Sequence, residues 1–153
     1  MGIYQLKREQ IIHGSLDEVW EFISDPRNLK RITPDSMGFQ VTTKDLPDKM
    51  YSGMIITYRV SPLLGIPTIW VTEITHVEEK KYFVDEQRVG PYKMWHHQHF
   101  LESVDKGVKM TDIISYRPPF AIIGTIANQL IIKRKLKEIF DHRSEALSSI
   151  FPG

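Results

Sequence analysis

The chain has 153 residues, 41% of them hydrophobic, with 20 Lys and Arg against 19 Asp and Glu and a formal charge of +1. That length suits a single domain, residues 1–153, with a substantial core, and the balanced charge gives no whole-chain reason to expect nucleic acid or an acidic substrate. The absence of cysteine excludes disulfides, thiolate metal sites and a cysteine nucleophile, and the opening "MGIYQLKREQ" has neither the apolar core of a signal peptide nor a myristoylation pattern, so a cytoplasmic location is expected.

The first element, residues 3–14, mixes apolar and polar side chains over a strand length. A helix follows in "SLDEVWEFISDPRNLKRITP", where Ser15 is the N-cap and Glu18, three residues on, completes a capping box. Val19, Trp20 and Ile23 share one helical face; Pro26 breaks the helix and starts a second short one running to about Ile32. Gly, Pro and Asp clusters then cut out strands at about 39–44, 54–60, 68–78, 82–88, 93–104 and 108–117. Most connections are of hairpin length, which predicts an antiparallel sheet.

After "RPP" the period changes: Ile122, Ile123, Ile126, Leu130, Leu136, Ile139, Phe140, Leu147 and Ile150 mostly recur at helical spacings. One long C-terminal helix is expected across the sheet, with "KRKLK" (133–137) as a solvated face. The longest apolar stretch, "PFAIIGTIANQLII", falls short of the roughly 20 residues that cross a bilayer, so no transmembrane segment is expected. The loop "SPLLGIP" and the helix start near "FAIIG" place apolar side chains beside Gly and Pro at element ends, the makings of a gate.

The stretches "SDPRNLKRITP", "GMIITYRV", "GIPTIWVTEI", "FVDEQRVGPYKMWHHQH", "MTDIISYRPP" and "IFDHRSEAL" together resemble the START-like, or SRPBCC, superfamily over essentially the whole chain. The resemblance is to a bacterial ligand-binding branch labelled polyketide cyclase/dehydrase-like, with the pattern F-x-D-x-Q, G-P-Y, W-x-H-x-H and D-x-x-x-Y-x-x-P. Here those positions are Phe83, Asp85, Gln87, Gly90, Pro91, Tyr92, Trp95, His97, His99, Asp112, Tyr116 and Pro119. Leu101 departs from the pattern, which has an aromatic residue there. The resemblance implies an α+β helix-grip fold, a curved antiparallel sheet wrapped around the C-terminal helix with two short helices after the first strand. It also implies a largely apolar cavity between sheet and helix.

Strand alternation gives the cavity side chains. Phe83, Asp85 and Gln87 share one face, as do Trp95, His97, His99 and Leu101, and Met110, Asp112, Ile114 and Tyr116. The opposite set, with Glu86, Arg88, His96, Gln98, Lys109, Thr111 and Arg117, suits a solvated face, although Met94 and Phe100 count against it. The first set is therefore placed inward, with Tyr58, Trp70 and Thr72 joining from earlier strands. If the turn in "SVDKGV" uses two or four residues, His99 falls opposite Asp112; a three-residue loop separates them.

Several chemistries compete for this cluster. His97 and His99 at i and i+2 can reach one metal ion, but the resemblance carries no metal signature, and no metal or other cofactor is expected. An enzyme reading uses His97 or His99 with Asp112 as a proton shuttle in a cofactor-independent cyclase or dehydratase; no nucleophile elbow or phosphate-binding glycine loop accompanies them. The cluster could also serve only to fix the sheet. The reading adopted is a polar lining, formed by Tyr58, Trp70, Thr72, Phe83, Asp85, Gln87, Trp95, His97, His99, Asp112 and Tyr116, that orients a small hydrophobic or amphipathic partner such as a lipid, an isoprenoid or an aromatic metabolite. Trp20, Phe22 and Phe140 are assigned to core packing. A regulator that binds a protein partner without a ligand is the third class, and the oligomeric state is left open.

Overall fold

The structure, a computed structural model, describes residues 2–62, 65–118 and 125–153, with the backbone alone at 125–128. Pro119, Ile122, Ile123, the side chain of Ile126 and much of the expected gate (63–64 and 120–124) lie outside the described residues.

Strand β1 (Tyr4–Ile12) leads into helix α1 (Leu16–Ile23) through the expected capping box. Ser15 Oγ accepts the Glu18 N–H at 3.2 Å, and Glu18 Oε2 accepts the Ser15 N–H at 2.9 Å, an arrangement that stabilises a helix start by about 1 kcal/mol. The buried face of α1 carries Val19, Trp20, Phe22 and Ile23. At Pro26 the chain continues as a 3-10 helix (Pro26–Ile32) capped by Asp25, whose carboxylate accepts the Arg27 N–H at 2.9 Å. A further 3-10 turn, Asp35–Met37, was not expected from the sequence.

The remaining strands are β2 (Gln40–Val41), β3 (Met54–Val60), β4 (Thr68–Glu78), β5 (Tyr82–Val89), β6 (Met94–Val104) and β7 (Gly107–Arg117). They form one seven-stranded antiparallel sheet in the order β1-β7-β6-β5-β4-β3-β2. The strand expected at 39–44 shrinks to two residues because threonine hydroxyls replace the ladder. Thr43 Oγ1 accepts the Thr57 N–H at 2.7 Å, while the Thr42 and Thr43 N–H groups both donate to Thr57 O.

Helix α2 (Thr125–Ile150) closes the chain, and the curved sheet wraps around it: the fold is the α+β helix grip. Its buried stripe is Ile132, Leu136, Phe140, Arg143 and Leu147, at spacings of four, four, three and four. Polar contacts fasten α2 to the β1 edge. Gln129 Nε2 donates to the Tyr4 hydroxyl, Arg8 Nη2 meets Asp141 Oδ1 at 2.7 Å, and Gln10 Nε2 donates to Ser144 O at 2.8 Å. The helix therefore docks closely on one side of the sheet. On the other, between α2, the 3-10 helix and β3 to β6, a cavity remains. The basic run at 133–137 faces outward, with Arg134 and Lys137 paired to Glu138 and Asp141. No helix among the described residues is long and apolar enough to cross a membrane.

Candidate functional site

The cavity measures about 150 Å³ and is mostly apolar. Ile56, Val60, Ile74, Ile32, Met37 and Leu136 form much of its wall. One flank is aromatic, with Phe39 4.8 Å from Tyr58, Tyr58 stacked 6.2 Å from Trp70, and Trp95 edge-on to Trp70 at 5.4 Å between ring centroids. The Tyr58 hydroxyl is satisfied by Thr72 Oγ1 at 2.7 Å, and burial raises its pKa, with the Asp85 charge adding to the effect.

The other flank is charged. The turn from β6 to β7 uses two residues, Asp105 and Lys106, between the paired Val104 and Gly107, so His99 faces Asp112 across the ladder. On the far side Phe83 faces His99 and Asp85 faces His97. Two carboxylates thus flank two imidazoles. His97 Nε2–H donates to Asp112 Oδ1 at 2.9 Å and His99 Nε2–H donates to Asp85 Oδ2 at 2.7 Å. The remaining ring nitrogens take the reverse partners: His99 Nδ1 lies 2.8 Å from Asp112 Oδ1, and His97 Nδ1 lies 3.6 Å from Asp85 Oδ2. The two rings lie 3.7 Å apart, tilted by 36°, and Phe83 stacks on His99 at 4.0 Å. From α2, Arg143 brings Nη2 to 3.4 Å from His99 Nδ1 and 3.9 Å from Asp112 Oδ1.

Electrostatics separate the two histidines. Burial lowers the His97 pKa and the neighbouring His99 charge lowers it further, to about 4 despite both carboxylates. His99 is equally desolvated, but its hydrogen bonds to Asp112 and Asp85 prevail and raise its pKa above the ordinary value. Burial works against the Asp112 charge, yet Arg143 and the two histidines hold its carboxyl well below the usual range. Asp85 is pushed up by burial and pulled down more strongly by His97 and His99. The shifts therefore favour charge on both carboxylates and on His99 and disfavour it on His97.

Of the residues expected at the pocket, Tyr58, Trp70, Thr72, Phe83, Asp85, Trp95, His97 and His99 lie on the cavity wall. Gln87, Asp112 and Tyr116 stand behind it. Asp112 is covered by the histidines it binds. Tyr116 packs against Tyr4, Tyr92 and Trp95. Gln87 bridges the turn after β5, its amide donating to Tyr92 O at 2.6 Å and accepting the Tyr92 N–H at 3.1 Å. A Cβ at Gly90 would sit 2.5 Å from Gln87 Oε1, so this clamp requires glycine there. Phe22 and Phe140, assigned to packing from the sequence, also line the cavity, and so do Asp25, Asn28, Tyr92 and Arg143. Arg143 left one signal in the sequence: a cation on the buried stripe of α2, where every other position is apolar. Two donors of cavity-lining residues, Trp70 Nε1 and Arg143 Nε, are covered by protein and have no hydrogen-bond partner among the described residues.

No protein-family model matches the chain, and no curated protein matches it in sequence. Solved structures share its fold. Protein CV1439 from Chromobacterium violaceum is 10% identical with a TM-score of 0.74, covering 98% of this chain and 99% of its own. Protein Ms6760 from Mycobacterium smegmatis is 19% identical with a TM-score of 0.68, over 95% and 89%. Major latex-like protein 151 from Panax ginseng is 13% identical with a TM-score of 0.68, over 99% of each chain.

Proposed function

We propose that the chain is a ligand-binding domain of the START-like, SRPBCC type, in its polyketide cyclase/dehydrase-like branch, and that its cavity takes one small hydrophobic or amphipathic molecule. The observation that carries this reading is a cavity of about 150 Å³ with an apolar, aromatic flank and a pole that carries Asp85, His97, His99 and Arg143. An apolar wall favours burial of a flat aromatic or isoprenoid body, at about 25 cal/mol per Å² removed from water. The polar pole selects for orientation. The polar side chains in the lining, Asn28, His97, His99 and Arg143 among them, favour a ligand that brings oxygen atoms. Arg143 and His99 in this pole already face the carboxylates of Asp85 and Asp112, so an uncharged carbonyl or hydroxyl suits it better than a carboxylate, whose burial would add a further charge. Native mass spectrometry of protein purified from its own host tests the reading. A stoichiometric adduct of a neutral, oxygen-bearing hydrophobic molecule is expected, and an adduct of a peptide or protein would replace it with the partner-binding reading.

A second reading is favoured by one feature, the opposite directions in which the pKa values of adjacent imidazoles are pushed. The lowered His97 favours accepting a proton in its neutral form and the raised His99 favours holding one to donate. That is the equipment of a cofactor-independent cyclase or dehydratase, with Asp112 orienting both rings. Loss of turnover without loss of affinity on replacing His99 distinguishes it from binding alone.

A further inference from the structure

The two imidazoles of β6 have a back and a front. Their back nitrogens, His97 Nε2 and His99 Nδ1, converge on a single carboxylate oxygen, Asp112 Oδ1, at 2.9 and 2.8 Å. Asp112 is behind the cavity wall, and Arg143 stands beside it at 3.9 Å. The front nitrogens, His97 Nδ1 and His99 Nε2, turn toward Asp85 Oδ2 at 3.6 and 2.7 Å, and Asp85, His97 and His99 can each offer one ligand atom within 4.8 Å of the other two. Asp85, His97 and His99 all line the cavity.

A hydrogen-bonded network accounts for only part of this. The proton of the Asp85–His99 contact satisfies that pair, and the His97 N–H is used by Asp112. What remains on the cavity side is the lone pair of His97 Nδ1, 3.6 Å from a carboxylate oxygen with no hydrogen to place between them. Two facing acceptors call for a cation. We infer that Asp85 Oδ2, His97 Nδ1 and His99 Nε2 form a binding site for one divalent transition-metal ion, of the class that prefers imidazole with carboxylate, zinc or ferrous iron. The inference stands whether or not the cavity takes an organic molecule.

The surrounding residues fit this assignment. Metal-bound histidines commonly donate their second nitrogen to a carboxylate that fixes ring orientation and strengthens the ligand, and such partners affect affinity by about 10- to 100-fold. Asp112 does this for His97 and lies 2.8 Å from the second nitrogen of His99. Donor atoms around an ion at metal–ligand distances of about 2.1 Å stand roughly 3 to 3.5 Å apart. The His97–Asp85 separation is already near that spacing, and the His99–Asp85 contact must open by less than about 1 Å as its proton leaves to solvent. Three protein ligands leave coordination positions free, and they face the cavity.

The test uses the full chain freed of metal by chelation. Zn²⁺ titrated by calorimetry should bind at one ion per chain, and Co²⁺ should develop visible ligand-field absorption at the same stoichiometry. Asp85→Asn and His97→Ala should each weaken Zn²⁺ binding at least a hundredfold, and Asp112→Asn by about 10- to 100-fold. His96→Gln should change nothing, since His96 lies on the opposite face of β6 paired to Glu86 at 2.7 Å. Should the variants fold poorly, histidine ¹⁵N spectra of the wild type decide: Zn²⁺ should move His97 Nδ1 and His99 Nε2 to metal-bound positions while their other nitrogens stay protonated. No stoichiometric binding, binding that survives in His97→Ala, or ring nitrogens unmoved by Zn²⁺ would overturn the site.

Discussion

His97 and His99 lie with ring centroids 3.7 Å apart, sharing both flanking carboxylates, and yet their pKa values are pushed in opposite directions. The difference comes from partners. His99 presents both nitrogens to oxygens within 2.8 Å, whereas His97 has one close oxygen and one at 3.6 Å.

The first prediction is the titration of this pair in chelator-treated protein. By NMR, His97 should remain neutral down to about pH 4, while His99 should titrate above the ordinary 6.5. Replacing Asp112 by Asn removes charge from both rings, so the His99 pKa should fall. A His99 curve unchanged by Asp112→Asn would contradict the pairing.

Stability should follow with a definite sign. The His99 pKa is raised on folding, so its contribution is complete below an unfolded value of 6.5 and is lost as pH rises through the folded value. His97 is depressed to about 4, so its neutral form favours the fold above 6.5 and that contribution, on the order of 3 kcal/mol, is lost as pH falls from 6.5 through 4. Asp85 and Asp112, both lowered, add further loss at more acid pH. Urea midpoints of the metal-free protein should therefore peak near pH 6.5. A monotonic rise from pH 5 to 8 would be the contrary result.

Gln87 separates scaffold from site. Gln87→Ala removes both hydrogen bonds to Tyr92 and should cost about 1 to 2 kcal/mol of stability with ligand affinity unchanged. A large loss of affinity at unchanged stability would return Gln87 to the cavity wall.

Much of this arrangement was legible in the sequence, for physical reasons that differ by element. β3 has the expected limits because its period of two is clean and Gly53 and Pro62 mark its ends, and Pro67 marks the start of β4. The capping box placed the start of α1 to the residue. Facing of His99 and Asp112 depended only on turn length, which hairpin rules narrow to a few cases. What alternation does not reveal is where a side chain goes after it leaves the sheet. Gln87 has inward parity opposite Thr72 but folds back to its own turn, and Asp112 is covered by its neighbours. Arg143 comes from an element distant in sequence, and only helix docking brings it to Asp112. The shortened β2 reflects competition from threonine side chains that strand propensity, favourable to threonine, hides.

The polar pole predicts a ranking among ligands of one shape. 2-Naphthol should bind more tightly than naphthalene by about 0.5 to 1.5 kcal/mol, the gain from one hydrogen bond to a buried donor, and 2-naphthoate should bind more weakly than 2-naphthol because its burial adds a further charge. Calorimetric titration of the three measures it. Tightest binding by the carboxylate would mean that the pole is cationic.

The most direct measurement is a ligand screen read simultaneously by thermal unfolding and tryptophan emission. Trp70 and Trp95 are on the cavity wall and Trp20 is not, so occupancy of the cavity must perturb emission as well as stability. Uncharged flat aromatics and isoprenoids at a hundredfold excess over Kd should stabilise the fold by about 2.7 kcal/mol and shift the emission in parallel, at one molecule per chain. A panel spanning sterols, isoprenoids, lipids and flat aromatics that moved neither signal would contradict the binding function.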